Sequence, residues 1–217
     1  MGWLKQWLGW GKASAFVSED RWVMVDVETS GLNPHEDRLL AIGAIALRVD
    51  WPQRQLCIDI ADSFEVIVQQ EALTHCKENI LLHGIGVQRQ QNGMVPQLAL
   101  QAFESYVGTS PLMAFHAAFD QAMIERQMRQ HVGRTMPNPW VDIEHLCAVT
   151  HEQVRARALD EWMDYFGISC SVRHQAAADT LAECEVLLRL WPRLVKQCKN
   201  WKDIERLAQM QRWIGRA

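Results

Sequence analysis

The sequence predicts an α/β domain built on a mixed sheet. Two observations carry this reading: an antiparallel meander of three strand-like segments comes first, and helix-like and strand-like segments alternate after it. Strand one is the apolar, β-branched run Trp22 to Val27, stopped by the turn chemistry of Thr29-Ser30-Gly31-Leu32-Asn33-Pro34. Leu39 to Val49 and Leu56 to Val68 follow as strands, separated by a loop holding Trp51-Pro52. Pro96 to Val107 reads as a helix with Leu98, Ala102, Phe103 and Tyr106 apolar, and Pro111 to Phe115 as a short buried strand of the parallel kind. Phe119 to His131 is helical, Trp140 to Ile143 strand-like, and Leu159 to Phe166 a helix stopped by Gly167. Gln175 to Leu190, rich in Ala, Leu and Glu, is the strongest helix, and Trp191-Pro192 is expected to interrupt it. Ahead of the sheet, Trp3, Leu4, Trp7, Leu8 and Trp10 recur at helical spacing before Gly11. Three parts result: a Trp-rich helical appendage over 1–20, a domain over 21–190 and a basic C-terminal helix over 191–217.

Composition narrows the class. The chain has 217 residues, 48% hydrophobic and 22% charged, with a formal net charge of -4. That is enough apolar material for a core without staples, and it excludes collagen-like, disordered and small disulfide-framework proteins. With no long apolar run and no secretion-signal order at the N-terminus, a cytoplasmic protein with no membrane partner is expected. The cysteines, Cys57, Cys76, Cys147, Cys170, Cys184 and Cys198, form no Cys-x-x-Cys pair and are expected to be buried free thiols. Charge is uneven: residues 189–217 hold eight basic residues against Asp203 and Glu205. Two readings stand for this tail, a grip on a phosphodiester backbone, or an amphipathic helix with Trp201, Ile204, Leu207 and Ala208 on one side and a solvated basic face.

The chemistry gathers at three places. Asp26-Val27-Glu28 ends strand one, and the period of two puts both carboxylates on one face. Acid-x-acid pairs also occur at Asp142/Glu144 and Glu183/Glu185, which read as solvated faces. Asp120 follows a strand-to-helix junction, Ala114-Phe115-His116-Ala117-Ala118-Phe119. His174-Gln175-Ala176-Ala177-Ala178-Asp179 opens the strongest helix, its alanines small enough for the helix to approach the sheet closely. Should Asp26, Glu28, Asp120 and Asp179 converge, each pair near 4 Å repels by about 4 kcal/mol at an effective dielectric of 20. Divalent cations relieve that repulsion, and an all-oxygen donor set points to Mg²⁺ or Mn²⁺. Two such ions can clamp the attacking and leaving oxygens of a displacement at phosphorus. His174 is suited to take the proton of an attacking water, whereas His83 reads as structural.

These segments resemble the three motifs of the DEDDh (DnaQ-like) 3′-to-5′ exonuclease family, which includes the proofreading epsilon subunit of bacterial DNA polymerase III. Val25-Asp26-Val27-Glu28-Thr29-Ser30-Gly31-Leu32 is similar to the first motif, Phe119-Asp120 to the second, and His174 with Asp179 to the third. Leu82-His83-Gly84-Ile85, Val95-Pro96, Trp140-Val141-Asp142 and Tyr165-Phe166-Gly167-Ile168 extend the likeness over about residues 20 to 190. The resemblance implies a ribonuclease H-like fold with a mixed five-stranded sheet flanked by helices. It implies two metal ions, Mg²⁺ or Mn²⁺, on Asp26, Glu28, Asp120 and Asp179, with Asp26 bridging and His174 as general base. Thr29 and Leu32 would touch the terminal nucleotide, Leu32 as an apolar wedge, with Phe119 and His116 among the substrate contacts. His116 stands where the epsilon pattern usually has Asn, a change that bears on substrate positioning more than on metal binding. The implied activity is removal of nucleoside 5′-monophosphates from the 3′ end of nucleic acid, single-stranded DNA being favoured. An exoribonuclease of the same family is the first alternative, and an accessory subunit docking a polymerase or clamp through its Trp-rich start and basic tail is the second.

Overall fold

Trp22, Val23, Met24 and Val25 in the first strand are all fully buried, the pattern of a central strand covered on both faces. The structure, a computed structural model, describes residues 20–71, 80–81, 83–170 and 173–213. The Trp-rich segment read as an N-terminal helix, together with Cys76, Leu82 and Arg216, lies outside the described residues.

Strand β1 (Arg21–Thr29) has β2 (Leu39–Asp50) on one side and β4 (Leu112–Ala114) on the other. With β3 (Gln55–Ile67) and β5 (Trp140–Asp142), the five-stranded sheet has the order β3-β2-β1-β4-β5. The meander is antiparallel as expected, with Val25 opposite Ala44 and Ala44 opposite Phe64, while β4 and β5 run parallel to β1. The period of two divides β1 between the layers: Trp22 and Met24 enter one apolar cluster, and Val23, Val25 and Val27 the other.

Helices cover both faces. In chain order they are α1 (Val87–Gln91), α2 (Pro96–Val107), α3 (Ala117–His131), α4 (Ile143–Thr150), α5 (Leu159–Phe166), α6 (Ala176–Gln197) and α7 (Trp201–Gln209). Pro96 starts α2, where its missing N–H is no loss, and Gly167 ends α5 in the left-handed conformation. Among the described residues no helix is long and apolar enough to cross a membrane.

Three expectations are corrected here. Pro192 does not interrupt the long helix: α6 runs through it to Gln197. Proline removes one backbone donor, but it faces solvent while Leu190, Trp191 and Leu194 on either side are buried and the Trp191 indole N–H donates to the Arg54 carbonyl at 2.8 Å. Cys57 is exposed and Cys170 only partly buried, because Cys57 lies on the edge strand β3, whose outer face meets water; Cys147, Cys184 and Cys198 are buried. The acid pairs are not all solvated either, since Glu144 and Glu183 are buried.

The basic tail takes its amphipathic form. Trp201, Ile204, Leu207 and Ala208 are buried in the same cluster as Trp22, and the Trp22 and Trp201 rings meet edge to face at 5.1 Å. Arg189, Lys196, Lys199, Lys202 and Arg212 lie on the exposed side. Residues on both sides of position 190 thus share one helix and one core.

One contact sets how closely α6 approaches the sheet. Gly43 on β2 pairs with Asp26, and a Cβ built on it would lie 2.6 Å from the carbonyl carbon of Ala176 in the first turn of α6. The small residues at the start of this helix do therefore allow the close approach anticipated for them. Gly43→Ala should force α6 outward and destabilise the protein by about 1–3 kcal/mol; chemical denaturation that gives wild-type stability would contradict this packing.

Candidate active site

The C-terminal end of β1, the start of α3 and the start of α6 meet at one cleft of about 660 Å³, a size usual for ligand sites. Asp26 and Glu28 project into it from one face of β1, partly buried, while Val27 turns into the opposite layer. Val27 also ties two elements together, its backbone N–H donating to Asp120 Oδ1 at 3.2 Å. Asp179, on the first turn of α6, is buried, and its Oδ2 accepts the His174 backbone N–H at 2.9 Å.

Asp26, Glu28 and Asp179 each offer a carboxylate oxygen within 4.8 Å of the others. Asp120 lines the same cleft and is buried, but stands outside that close group. Burial first, then the charges of Asp120, Glu28 and Asp179, raises the Asp26 carboxyl well above the ordinary carboxylate range, while the Arg173 guanidinium opposes the rise. Asp120 is likewise raised, chiefly by burial, against hydrogen bonds from backbone amides that lower it. Glu28 is pushed up to about 7 by burial and by Asp179. Acidic oxygens this close, with Asp26 and Glu28 disfavoured as anions by their surroundings, fit a hard divalent cation, which would relieve both the desolvation penalty and the repulsion.

The same shifts fix how the cation-free protein responds to pH. Between the ordinary Glu value of 4.5 and about 7, the folded state keeps a proton on Glu28 that the unfolded chain has released. Stability therefore falls as pH rises through that window, by up to about 3 kcal/mol for Glu28. Melting temperatures of chelator-treated protein should decline from about pH 5 to about pH 8, and added Mg²⁺ should remove most of the decline. A melting temperature that rises across the window would contradict the assignment.

The remaining expected residues border the cleft. His174 is exposed, with a left-handed backbone at φ 62°, and His116, the residue before α3, is also exposed and left-handed at φ 59°. That conformation costs a non-glycine residue about 1–2 kcal/mol, so the two histidines that flank the carboxylates are held there by their surroundings. The His116 backbone N–H donates to Asp142 Oδ1 at 3.1 Å, and its ring lies 4.7 Å from Phe115. Leu32 is 91% exposed at the cleft, an unusual setting for a leucine. Its loop closes around Asp37, which accepts from Ser30 Oγ and the Asn33 N–H, while Thr29 Oγ1 donates to the Gly31 carbonyl at 2.7 Å. Phe119 is half-buried along the wall. His83 is buried at the edge of the same cleft, and its Nδ1 accepts the Ile85 N–H at 3.0 Å.

Two site residues escaped sequence reasoning. Arg173 bridges Asp160 on α5, at 2.6 Å, and Asp179, so it braces the third motif from the side. A basic residue directly before His174 was the available signal. Glu183 lines the cleft one turn beyond Asp179, and the spacing of four on a helix was its signal.

Known proteins share sequence or fold with this chain. The DNA polymerase III PolC-type of Clostridium perfringens (strain 13 / Type A) is 29% identical over 171 residues, 78% of this chain but 11% of that protein. The chain thus spans about a tenth of the length of that curated relative. Among solved structures, cell-death related nuclease 4 superimposes with a TM-score of 0.69 at 15% identity, covering 82% of this chain and 65% of that one. E. coli exonuclease I, in a zinc-bound complex with single-stranded DNA, gives 0.63 at 15% identity, covering 82% and 43%. At such identities these likenesses establish the fold, a mixed sheet flanked by helices in the ribonuclease H-like manner. The family model for the RNase_T exonucleases matches residues 23–187, which takes in every strand of the sheet and the whole cleft, and the chain therefore belongs to that exonuclease family.

Proposed function

We propose that the chain is a metal-dependent 3′-to-5′ exonuclease that hydrolyses the terminal phosphodiester bond of DNA and releases nucleoside 5′-monophosphates. The observation that carries the reading is the close group of Asp26, Glu28 and Asp179 oxygens in a cleft that also presents an exposed histidine. Asp26, Glu28, Asp120 and Asp179 would hold two Mg²⁺ or Mn²⁺ ions. When bound, such ions stabilise charge on the attacking and leaving oxygens of a displacement at phosphorus.

The chain's own residues supply the rest. His174, exposed at the cleft, takes the proton of the attacking water as general base. Leu32 has the exposure an apolar wedge against the terminal base requires, and Phe119 lines the same cleft. Thr29 and His116, which line the same cleft, would contact the terminal nucleotide. The similarity to a PolC-type polymerase favours work beside a replicative polymerase, which would make a polymerase or clamp the partner.

The test is digestion of 5′-labelled single-stranded DNA with Mg²⁺ present or chelated. The expected product is a ladder shortening one nucleotide at a time from the 3′ end, absent with chelator. Immediate release of the 5′ label would overturn the polarity, and cleavage unaffected by chelator would overturn the metal assignment. A matched RNA oligomer included in the assay identifies an exoribonuclease if it is degraded much faster than the DNA.

A further inference from the structure

Glu183 is 2% exposed on α6, one helical turn beyond Asp179, with Ala182, Val186 and Leu187 buried around it on the same helix. It lines the cleft shared by Asp26, Asp120 and Asp179. Its Oε2 is shielded from solvent and has no hydrogen-bond partner among the described residues. Burial and the charges of Asp26, Asp120 and Asp179 disfavour its anion, against a hydrogen bond from the Phe115 backbone amide. An apolar side chain of similar volume would remove these penalties. The carboxyl is therefore poorly compensated in the cation-free protein, and its orphan oxygen belongs to a side chain that lines the cleft where the other carboxylates gather.

We propose that Glu183 is a fifth acidic group of the divalent-cation site, a positioning residue whose Oε2 accepts hydrogen bonds from cation-held water and raises the affinity of the site. The inference rests on the cation-dependent reading given above and goes beyond the four carboxylates of the three motifs. It also makes the site of this chain more acidic than those motifs require, which favours retention of cation when the metal is scarce.

Calorimetric titration of the chelator-treated full chain with Mn²⁺ alone, without nucleic acid, tests it. Wild type should bind, Asp26→Asn should lose binding, and Glu183→Gln should bind about 10–100-fold more weakly, the usual effect of removing a hydrogen-bonding partner behind a metal ligand. Glu183→Leu, which fills the volume without an acceptor, should lose a similar factor. Glu183→Gln should melt no lower than wild type in chelator, because a buried repulsion is relieved while an acceptor for the Phe115 amide is kept. Wild-type affinity in Glu183→Gln and Glu183→Leu, with binding lost in Asp26→Asn, would overturn the role of Glu183 and leave the cation site standing. Equal losses of affinity and of cation-free melting temperature would also overturn it, marking Glu183 as a packing residue. No binding by wild type would defeat the cation reading itself.

Discussion

Asp26→Asn is expected to abolish Mg²⁺-dependent cleavage, lowering the rate about 10³-fold or more, which corresponds to ~4 kcal/mol of lost transition-state stabilisation. Asp26 has the central place in the cluster: the charges of Asp120, Glu28 and Asp179 all act on it. Asparagine keeps the shape and removes the charge, so the cation loses the ligand expected to stand between the two ions. The fold should survive, because the substitution also removes a repulsion that the cation-free protein carries. In chelator the variant should therefore melt at or above the wild-type temperature, while the stabilisation that Mg²⁺ gives wild type should be largely gone. Activity within tenfold of wild type would sink the two-ion assignment. A variant that is inactive and also melts far lower would show that Asp26 acts through folding. Asp179→Asn is a harsher test of structure, since Asp179 Oδ2 receives the His174 backbone N–H and Oδ1 is met by Arg173.

These expectations trace back to residues that could be read before any coordinates. The meander was legible because β1 is buried on both faces, which leaves a continuous apolar run, and because turn-forming residues separate its first strand from the second and the second from the third. Asp26 and Glu28 were legible through the period of two, and His174 and Asp179 through their position at a helix start. Convergence of these elements was only partly legible, since it depends on Gly43 and Ala176 allowing α6 to lie against β2, a long-range contact that no local pattern announces.

Other features were hidden for identifiable reasons. Helix α4 is eight residues long and follows a three-residue strand, so its periodicity was too short to separate from the strand signal; its cap, Asp142 accepting the Glu144 N–H at 2.9 Å, was the better clue. Pro192 concealed the true length of α6, because its cost is local while the burial of Trp191 and Leu194 acts over the whole helix. Glu183 was passed over since acid-x-acid pairs are common by composition, and exposure is the default for a glutamate. The left-handed backbones of His116 and His174 are imposed by the junctions they occupy and leave no mark on residue type.

The acidic net charge takes on meaning at this cleft. Asp26, Glu28, Asp120, Asp179 and Glu183 line it, with Arg173 set against them, so an incoming phosphodiester would meet repulsion unless divalent cations were bound first. If cations are held there as proposed, their charge would aid substrate entry as well as chemistry, and nucleic-acid affinity should fall when chelator is present. The exposed basic side of α6 and α7 lies on elements whose other side fills the core, which leaves the charge free to act on a polyanion without any change of fold.

His174→Ala separates chemistry from cation binding. Loss of a general base should lower the rate about 10²–10⁴-fold, whereas affinity for Mn²⁺ should change little. The residue reaches Asp179 through its backbone N–H, which alanine retains, and its exposed side chain makes no packing contribution that would be lost. Both histidine and alanine bear a Cβ, so the left-handed backbone is no better tolerated in one than in the other. The pH–rate profile at saturating Mg²⁺ supplies a readout that a purely structural role would not move. Under that condition the bound cation holds Glu28 ionised, so the acid limb of the wild-type profile reports the proton-accepting group, and in His174→Ala that limb should flatten. A profile unchanged in shape would reject His174 as the base even if the rate fell, since a residue that only positions substrate lowers the rate equally at every pH.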